Sequence, residues 1–193
     1  MKFIAECALP NPHDSNFRLR AYRCEASGEE IMAMFLGDVS GGNVLCRIHD
    51  QCFTSEVLGS LRCDCKGQLD TALQRVASEG RGLVIYLQQE GRGIGLANKV
   101  AAYSVQDDTG MDTVDANVAL GEPVENRTYE MIPDILSDLR ISSIRLMTNN
   151  PFKLQNLERL GVCIEERIAL VVDTSEHAEG YMRCKRDKMG HLF

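Results

Sequence analysis

The sequence predicts a single α/β domain over residues 1–193, in which N-terminal antiparallel strands lead into a mixed sheet with helices packed on it. Three observations predict it. The first fifty residues alternate short β-prone runs with turn signals; Gly82 to Leu87 is a continuous apolar run; and beyond residue 65 strand-like runs alternate with segments whose apolar residues recur at helical spacing. With 193 residues, 44% of them apolar, the chain can bury one sizeable core, and a second domain is not expected.

Taken in order, Lys2 to Ala8, Phe17 to Cys24, Ile31 to Leu36 and Val44 to His49 read as strands of an antiparallel meander, separated by Asn11-Pro12, Ser27-Gly28 and Ser40-Gly41-Gly42. Leu69, Ala72, Leu73, Val76 and Ala77 then predict a helix that stops at Gly80. Gly82 to Leu87 has the pattern of a strand buried on both faces and is expected at the centre of the sheet. A helix to about Asp107 carries Leu96, Ala97, Val100, Ala101 and Ser104 on one face, and another covers Ile132 to Arg140 with Ile132, Ile135, Leu136 and Leu139 inward. Ser143 to Met147 is a strand. Asn150 caps a helix with Pro151 at its first position and Gly161 at its end; Val162 to Val172 is a last strand, and His177 to Met189 a charged terminal helix.

Composition excludes several roles. The stretch MKFIAECALP has too short an apolar run for a secretory signal, and no apolar segment approaches the ~20 residues that span a bilayer, so a cytoplasmic protein without membrane contact is expected. Eight cysteines in that reducing setting read as ligands, reactive thiols or buried small residues rather than disulfides. A net charge of −7 argues against binding nucleic-acid backbones, so an anionic ligand must meet local clusters of Arg and Lys.

The chemistry concentrates between Arg47 and Gln68, where Cys52, Cys63 and Cys65 stand at C-x10-C-x-C spacing. Zinc takes such thiolates tetrahedrally, with four protein ligands in a structural site and three plus water in a catalytic one. Cys63 and Cys65 flank Asp64 on what reads as an extended segment, and Cys52 closes the loop; water, His49 or Cys163 could complete the set, leaving the structural and catalytic readings open. In the catalytic case zinc lowers the pKa of its water from 15.7 towards about 7 and provides hydroxide for attack on an electrophilic carbon. A second feature is the turn Glu90-Gly91-Arg92-Gly93-Ile94-Gly95, lying between strand and helix, where glycines allow close backbone approach and a helix start favours an anion. Its spacing matches neither the dinucleotide fingerprint nor a Walker loop, and a tight packing turn is the plain alternative. Thr148-Asn149-Asn150-Pro151-Phe152-Lys153 is a second such turn with a cation.

The segments RIHDQC, GSLRCDC, YLQQEGRGIGL, AYSVQD, DTVDAN, MTNNPFK and KMGHLF, in this order and at these separations, resemble GTP cyclohydrolase II, the first committed enzyme of riboflavin biosynthesis. The resemblance implies a homodimer, one catalytic zinc per chain on Cys52, Cys63 and Cys65, and magnesium accompanying the triphosphate of GTP or a related purine nucleotide. It implies opening of the guanine imidazole ring, with loss of formate and pyrophosphate, to give a 2,5-diamino-6-ribosylamino-pyrimidinone 5'-phosphate. Carried over by position, it places Arg47, Ile48, His49, Asp50, Gln51, Gln68, Glu90, Gly91, Arg92, Thr113, Thr148 and Lys153 around the nucleotide, and Tyr103 near the zinc chemistry. Arg127 matches an arginine proposed as nucleophile on the α-phosphate, with Glu125 as its base; a guanidinium with pKa above ~12 suits a phosphoryl clamp better.

Five positions in four segments depart from the family pattern. His49-Asp50-Gln51-Cys52 replaces His-Ser-Glu-Cys, Gln88 replaces an arginine, Met111 replaces a tyrosine, and the carboxylate before Arg127 is Glu125 rather than aspartate. A specialised paralogue that stops at a formamidopyrimidine nucleotide, and a nucleotide-binding module with a structural zinc, are the alternatives these departures raise.

Overall fold

A computed structural model describes residues 1–173 and 175–192; Phe193, the end of the terminal motif, lies outside them. The described residues form one seven-stranded sheet in the order β1 (Lys2–Ala8), β2 (Arg18–Arg23), β3 (Glu30–Leu36), β5 (Gly82–Leu87), β4 (Val44–Asp50), β6 (Ile144–Met147), β7 (Ile164–Ile168). β1, β2, β3 and β5 pair antiparallel, whereas β5, β4, β6 and β7 are parallel. The mixed sheet is the expected one, with β5 at its centre.

The predicted meander ends one strand early. β5 inserts between β3 and β4, and β4 pairs parallel with β5 and β6. The cause is burial: every residue from Val44 to His49 is buried, so β4 needs a neighbour on each edge and helices on both faces. The last strand is shorter than expected, Ile164–Ile168, because its exposed Glu165 and Glu166 mark the sheet edge.

The helices are α1 (Phe53–Glu56), α2 (Cys65–Glu79), α3 (Leu96–Thr109), α4 (Thr113–Ala119), α5 (Ile132–Asp138), α6 (Pro151–Arg159) and α7 (Glu179–Asp187). α2 buries Ala72, Leu73 and Val76 against Leu36, Leu45 and Val84 on one side of the sheet. On the other side α5 places Ile132, Ile135, Leu136 and Leu139 against Ile48, Ile85 and Leu146. Gly80 ends α2 with φ 72°, and the Asn150 carboxamide accepts the Phe152 N–H at 3.0 Å to start α6, both as the sequence predicts. α3 turns the other way from expectation: Leu96, Ala97, Val100 and Ser104 are exposed, while Ala102 is buried and Lys99 and Tyr103 face a cavity. α1 and α4 are too short for a periodic signal, though the Asp112 carboxylate caps α4 by accepting from the Val114 and Asp115 N–H groups.

This topology positions the site. β4, β5 and β6 all end on one side of the sheet, and the chain crosses from β5 back over β4 to reach β6. A crevice opens beyond the carboxyl ends of parallel strands where the order reverses, and the segments after β4, β5 and β6 line it.

Candidate metal centre and anion cleft

Cys52 follows β4 and caps α1, and Cys65 is the first residue of α2, so the two later cysteines do not share an extended segment: the chain turns into a helix between them. The turn still converges the thiols. The Sγ atoms of Cys52, Cys63 and Cys65 all lie within 4.8 Å of one another, with Cys52 and Cys63 3.6 Å apart. Tetrahedral zinc with Zn–S of about 2.3 Å sets its sulfurs roughly 3.8 Å apart, so this donor set fits zinc. Among the described residues no fourth His, Cys, Asp or Glu joins the cluster. His49 instead bonds Glu56 through Nε2 at 2.8 Å, and Cys163 is exposed where β7 begins, at the opposite end of the sheet.

The surroundings favour thiolate on Cys52. Hydrogen bonds from Cys63 and Cys65, with the Lys99 ammonium 3.1 Å from its sulfur, hold the Cys52 pKa far below that of a free thiol. Those same bonds push Cys63 and Cys65 up. Lys99 also bonds the Glu90 carboxylate at 2.7 Å, and Glu90 accepts the Phe53 N–H at 2.6 Å; the Cys52 N–H goes to Glu56 at 2.9 Å. The buried Glu90 and the half-buried Glu56 thus fix the start of α1 and with it Cys52.

The three cysteines line a cavity of about 90 Å³ with Gln51, Glu90, Gly91, Arg92, Tyr103, Thr113 and Arg127. Burial raises the Tyr103 pKa, so the phenol keeps its proton; its ring lies 4.7 Å from the Arg62 guanidinium. An adjoining cavity of about 80 Å³ is lined by Arg47, His49, Asp50, Gln68, Thr148 and Lys153. Arg92, Arg127 and Cys65 border both.

The cleft holds a dense set of cations. Arg47 bonds the Met147 carbonyl at 3.0 Å and the Gln68 carboxamide at 2.6 Å. Lys153 is buried and donates to the Ile48 carbonyl at 2.6 Å and to Asp50 at 2.9 Å; burial outweighs the opposing pull of Asp50 and lowers its pKa to about 8. Arg127 donates to Asp50 at 2.8 Å and to both oxygens of Glu125. Although burial alone opposes charge on each, Asp50 and Glu125 hold Arg127 protonated far above its usual range, and Lys153 and Arg127 hold Asp50 ionised. Arg92 differs: its Nη1 and Nη2 are buried with no hydrogen-bond partner among the described residues, on a backbone at φ 62°, a conformation rarely adopted without glycine. Gly93 follows it against Asn126, where a Cβ would stand 2.7 Å from the Asn126 carbonyl oxygen.

Every residue placed around the nucleotide by sequence borders these two cavities, except Ile48, whose side chain is in the core and whose carbonyl holds Lys153; Glu125, expected as the base for Arg127, borders neither and bonds Arg127. Two of the departures fall elsewhere. Gln88 is exposed, and Met111 lines an outer cavity of about 710 Å³ that no cysteine of the triad borders. Sequence reasoning missed Asp64, Lys99, Tyr181 and Lys185. Lys185, on α7, is buried and bonds Asp64 at 2.6 Å, and Asp64 accepts from Gln68 at 2.5 Å. Asp64 between two ligands was a usable signal; the charged pattern of α7 offered none.

Three converging thiols with no fourth His, Cys, Asp or Glu among the described residues, opening onto buried cations at the carboxyl ends of parallel strands, have the donors and charges of a zinc hydrolase site beside an anion cleft. The family model described as GTP cyclohydrolase II matches residues 2–169. The chain belongs to the GTP cyclohydrolase II family. It is 47% identical to a GTP cyclohydrolase-2 of Neisseria meningitidis over all of this chain and 96% of that protein. Identity is 45% to a GTP cyclohydrolase-2 of Shewanella amazonensis, over all of this chain and 93% of that one. It is 48% identical to a riboflavin biosynthesis protein RibBA of Salinispora tropica, of whose length it spans about half (48%). Among solved structures, a two-domain 3,4-dihydroxy-2-butanone 4-phosphate synthase, RibBX from A. baumannii, aligns with 89% of this chain and 40% of that one at TM-score 0.47 and 18% identity.

Proposed function

We propose that residues 1–193 act as one catalytic unit that hydrolyses GTP to formate, pyrophosphate and a 2,5-diamino-6-ribosylamino-pyrimidinone 5'-phosphate, the first step of riboflavin biosynthesis. The observation that carries the reading is the cavity shared by the open cysteine triad and the unpartnered Arg92 guanidinium. One end offers metal chemistry to a ring carbon and the other offers charge to phosphates. Cys52, Cys63 and Cys65 would hold zinc, which when bound supplies Lewis acidity and a water acidified towards neutral pH.

The chain's own groups account for the rest. Tyr103 keeps its proton beside the triad and can donate it to a ring nitrogen as the ring opens. Arg92, Lys153 and Arg47 take the phosphate oxygens, and magnesium accompanies the triphosphate. Arg127, charged and gripped by Glu125, acts as a clamp on the α-phosphate; a group held protonated so firmly does not supply an electron pair. Gln51, Gln68 and Thr113 border the path between the two ends, Thr113 through a hydroxyl that accepts from Gln106 at 3.1 Å.

Of the departures, Gln88 lies away from the triad, whereas Gln51 lines its cavity and Met111 the outer one, so a reaction that stops before formate release is the alternative to be distinguished from the complete one. Free thiols at all eight cysteines suit a reducing cytoplasm. Among the described residues no helix is long and apolar enough to cross a membrane. A homodimer would cover the exposed Leu96 and Val100 of α3.

Incubation with GTP, zinc and magnesium, with formate and pyrophosphate measured together, tests the proposal. Equal amounts of both are expected. Pyrophosphate without formate would overturn the complete reaction in favour of one that stops before formate release, and tight binding of unchanged GTP would make the chain a binding module.

A further inference from the structure

α7 lies beyond the residues that the family model matches, yet it closes the site. Its side chains are tied down at several points. Lys185 bonds Asp64, between two of the cysteines, at 2.6 Å; Lys188 bonds Asp112 at 2.6 Å and Asp115 at 2.8 Å. Beyond the helix, the Leu192 N–H donates to the Asn149 carbonyl at 2.8 Å. The Lys185 ammonium that holds Asp64 also lies 4.4 Å from the centroid of the Tyr181 ring.

Tyr181 is the one described residue that lines all three cavities: that of the cysteines, that of Lys153 and Arg47, and the outer one of about 710 Å³. The two inner cavities measure about 90 and 80 Å³, whereas sites for ligands of drug size measure roughly 300–1,000 Å³. A purine nucleoside triphosphate reaching from the thiols to the cations must therefore displace something between them and borrow room from the outer cavity. Tyr103, Thr113 and Tyr181 divide the outer cavity from the cysteines, and Tyr181 alone divides it from the cations. Burial pushes the Tyr181 phenol up to about 12, so the ring stays neutral beside Lys185 and Arg92.

We propose that Tyr181 is a substrate-contacting residue: its ring gives way to admit the nucleotide and then packs against the nucleoside, between the metal-ligating end and the phosphate-holding end. The inference rests on the function proposed above and deepens it by assigning part of nucleoside recognition to α7.

The test compares Tyr181→Ala, Tyr181→Phe and Tyr181→Leu in the full-length zinc protein, with calorimetric binding of a non-hydrolysable GTP analogue and of inorganic tripolyphosphate. Tyr181→Ala is expected to weaken the analogue at least tenfold while tripolyphosphate affinity and zinc content stay within twofold of wild type, and Tyr181→Phe to keep both affinities. Unchanged affinity for the analogue, or equal loss for both ligands, overturns the inference. Should Tyr181→Ala fail to fold, Tyr181→Leu, which keeps apolar volume, decides by the same readings: selective loss of the analogue supports the contact, and no selective loss overturns it. Wild-type protein that binds neither ligand would instead overturn the function itself, and this inference with it.

Discussion

The Lys99 ammonium lies 3.1 Å from the Cys52 sulfur and 2.7 Å from a Glu90 oxygen, so the first thiol of the proposed metal centre has a cation of its own. Three thiolates around a divalent ion carry a net negative charge. Lys99 cancels it locally, and Glu90 keeps Lys99 in place.

Lys99→Met should therefore weaken metal retention about tenfold, within the roughly 10–100-fold range for outer-shell partners of metal ligands. Chelator competition monitored with a zinc indicator measures it. Retention equal to wild type would show that the ammonium serves packing alone.

Cys65→Ser should lose zinc and turnover yet stay folded, because α2 is held by Ala72, Leu73 and Val76 in the core and is closed by Gly80 rather than by its first residue. Metal analysis and circular dichroism check this. Unfolding would make the metal a fold determinant.

Asp50→Ala should destabilise by about 3 kcal/mol or more, since it leaves Lys153 and Arg127 buried with one counter-charge fewer. Pyrophosphate should restore much of the loss, as a bound anion replaces the carboxylate. Melting temperatures with and without pyrophosphate test both halves of the argument.

The Lys153 pKa of about 8 gives a pH signature. The folded protein binds this proton less tightly than the unfolded chain does, so between about pH 8 and 10.5 the unfolded state holds more protons and stability from this group rises with pH. Phosphate binding runs oppositely, because the charged form is the one that attracts an anion. Tripolyphosphate affinity should fall as pH rises through about 8, and Lys153→Met should flatten that part of the profile. Calorimetry across the range reads it.

Much of this was legible in the sequence. The cysteine spacing announced the metal donors, and the continuous apolar run announced the central strand. The two glycine- and asparagine-marked turns placed Arg92 and Lys153 where strands end. What stayed hidden was long-range. Periodicity put the apolar stripe of α3 inward, but the site needed Lys99 and Tyr103 there, and polar contacts with a metal centre outweighed burial of Leu96 and Val100. β4 joined the wrong neighbour because alternation does not say which strand will insert beside it. Tyr181 and Lys185 were invisible because an exposed-looking charged helix gives no sign that one of its lysines reaches Asp64, 121 residues away, or that its tyrosine lines the inner cavities.

The close approach of Gly93 to Asn126 has a consequence for engineering. The turn bearing Arg92 and the strip bearing Glu125 and Arg127 touch backbone to backbone, joined further by the Asn126 N–H on the Arg92 carbonyl at 3.0 Å. The two strips are therefore packed as one unit, and a side chain added at Gly93 would have to push the Asn126 backbone away. Attempts to retarget this scaffold to other nucleotides belong on Gln51, Thr113 and Tyr181, where side chains meet open space and the main chain is free of that constraint.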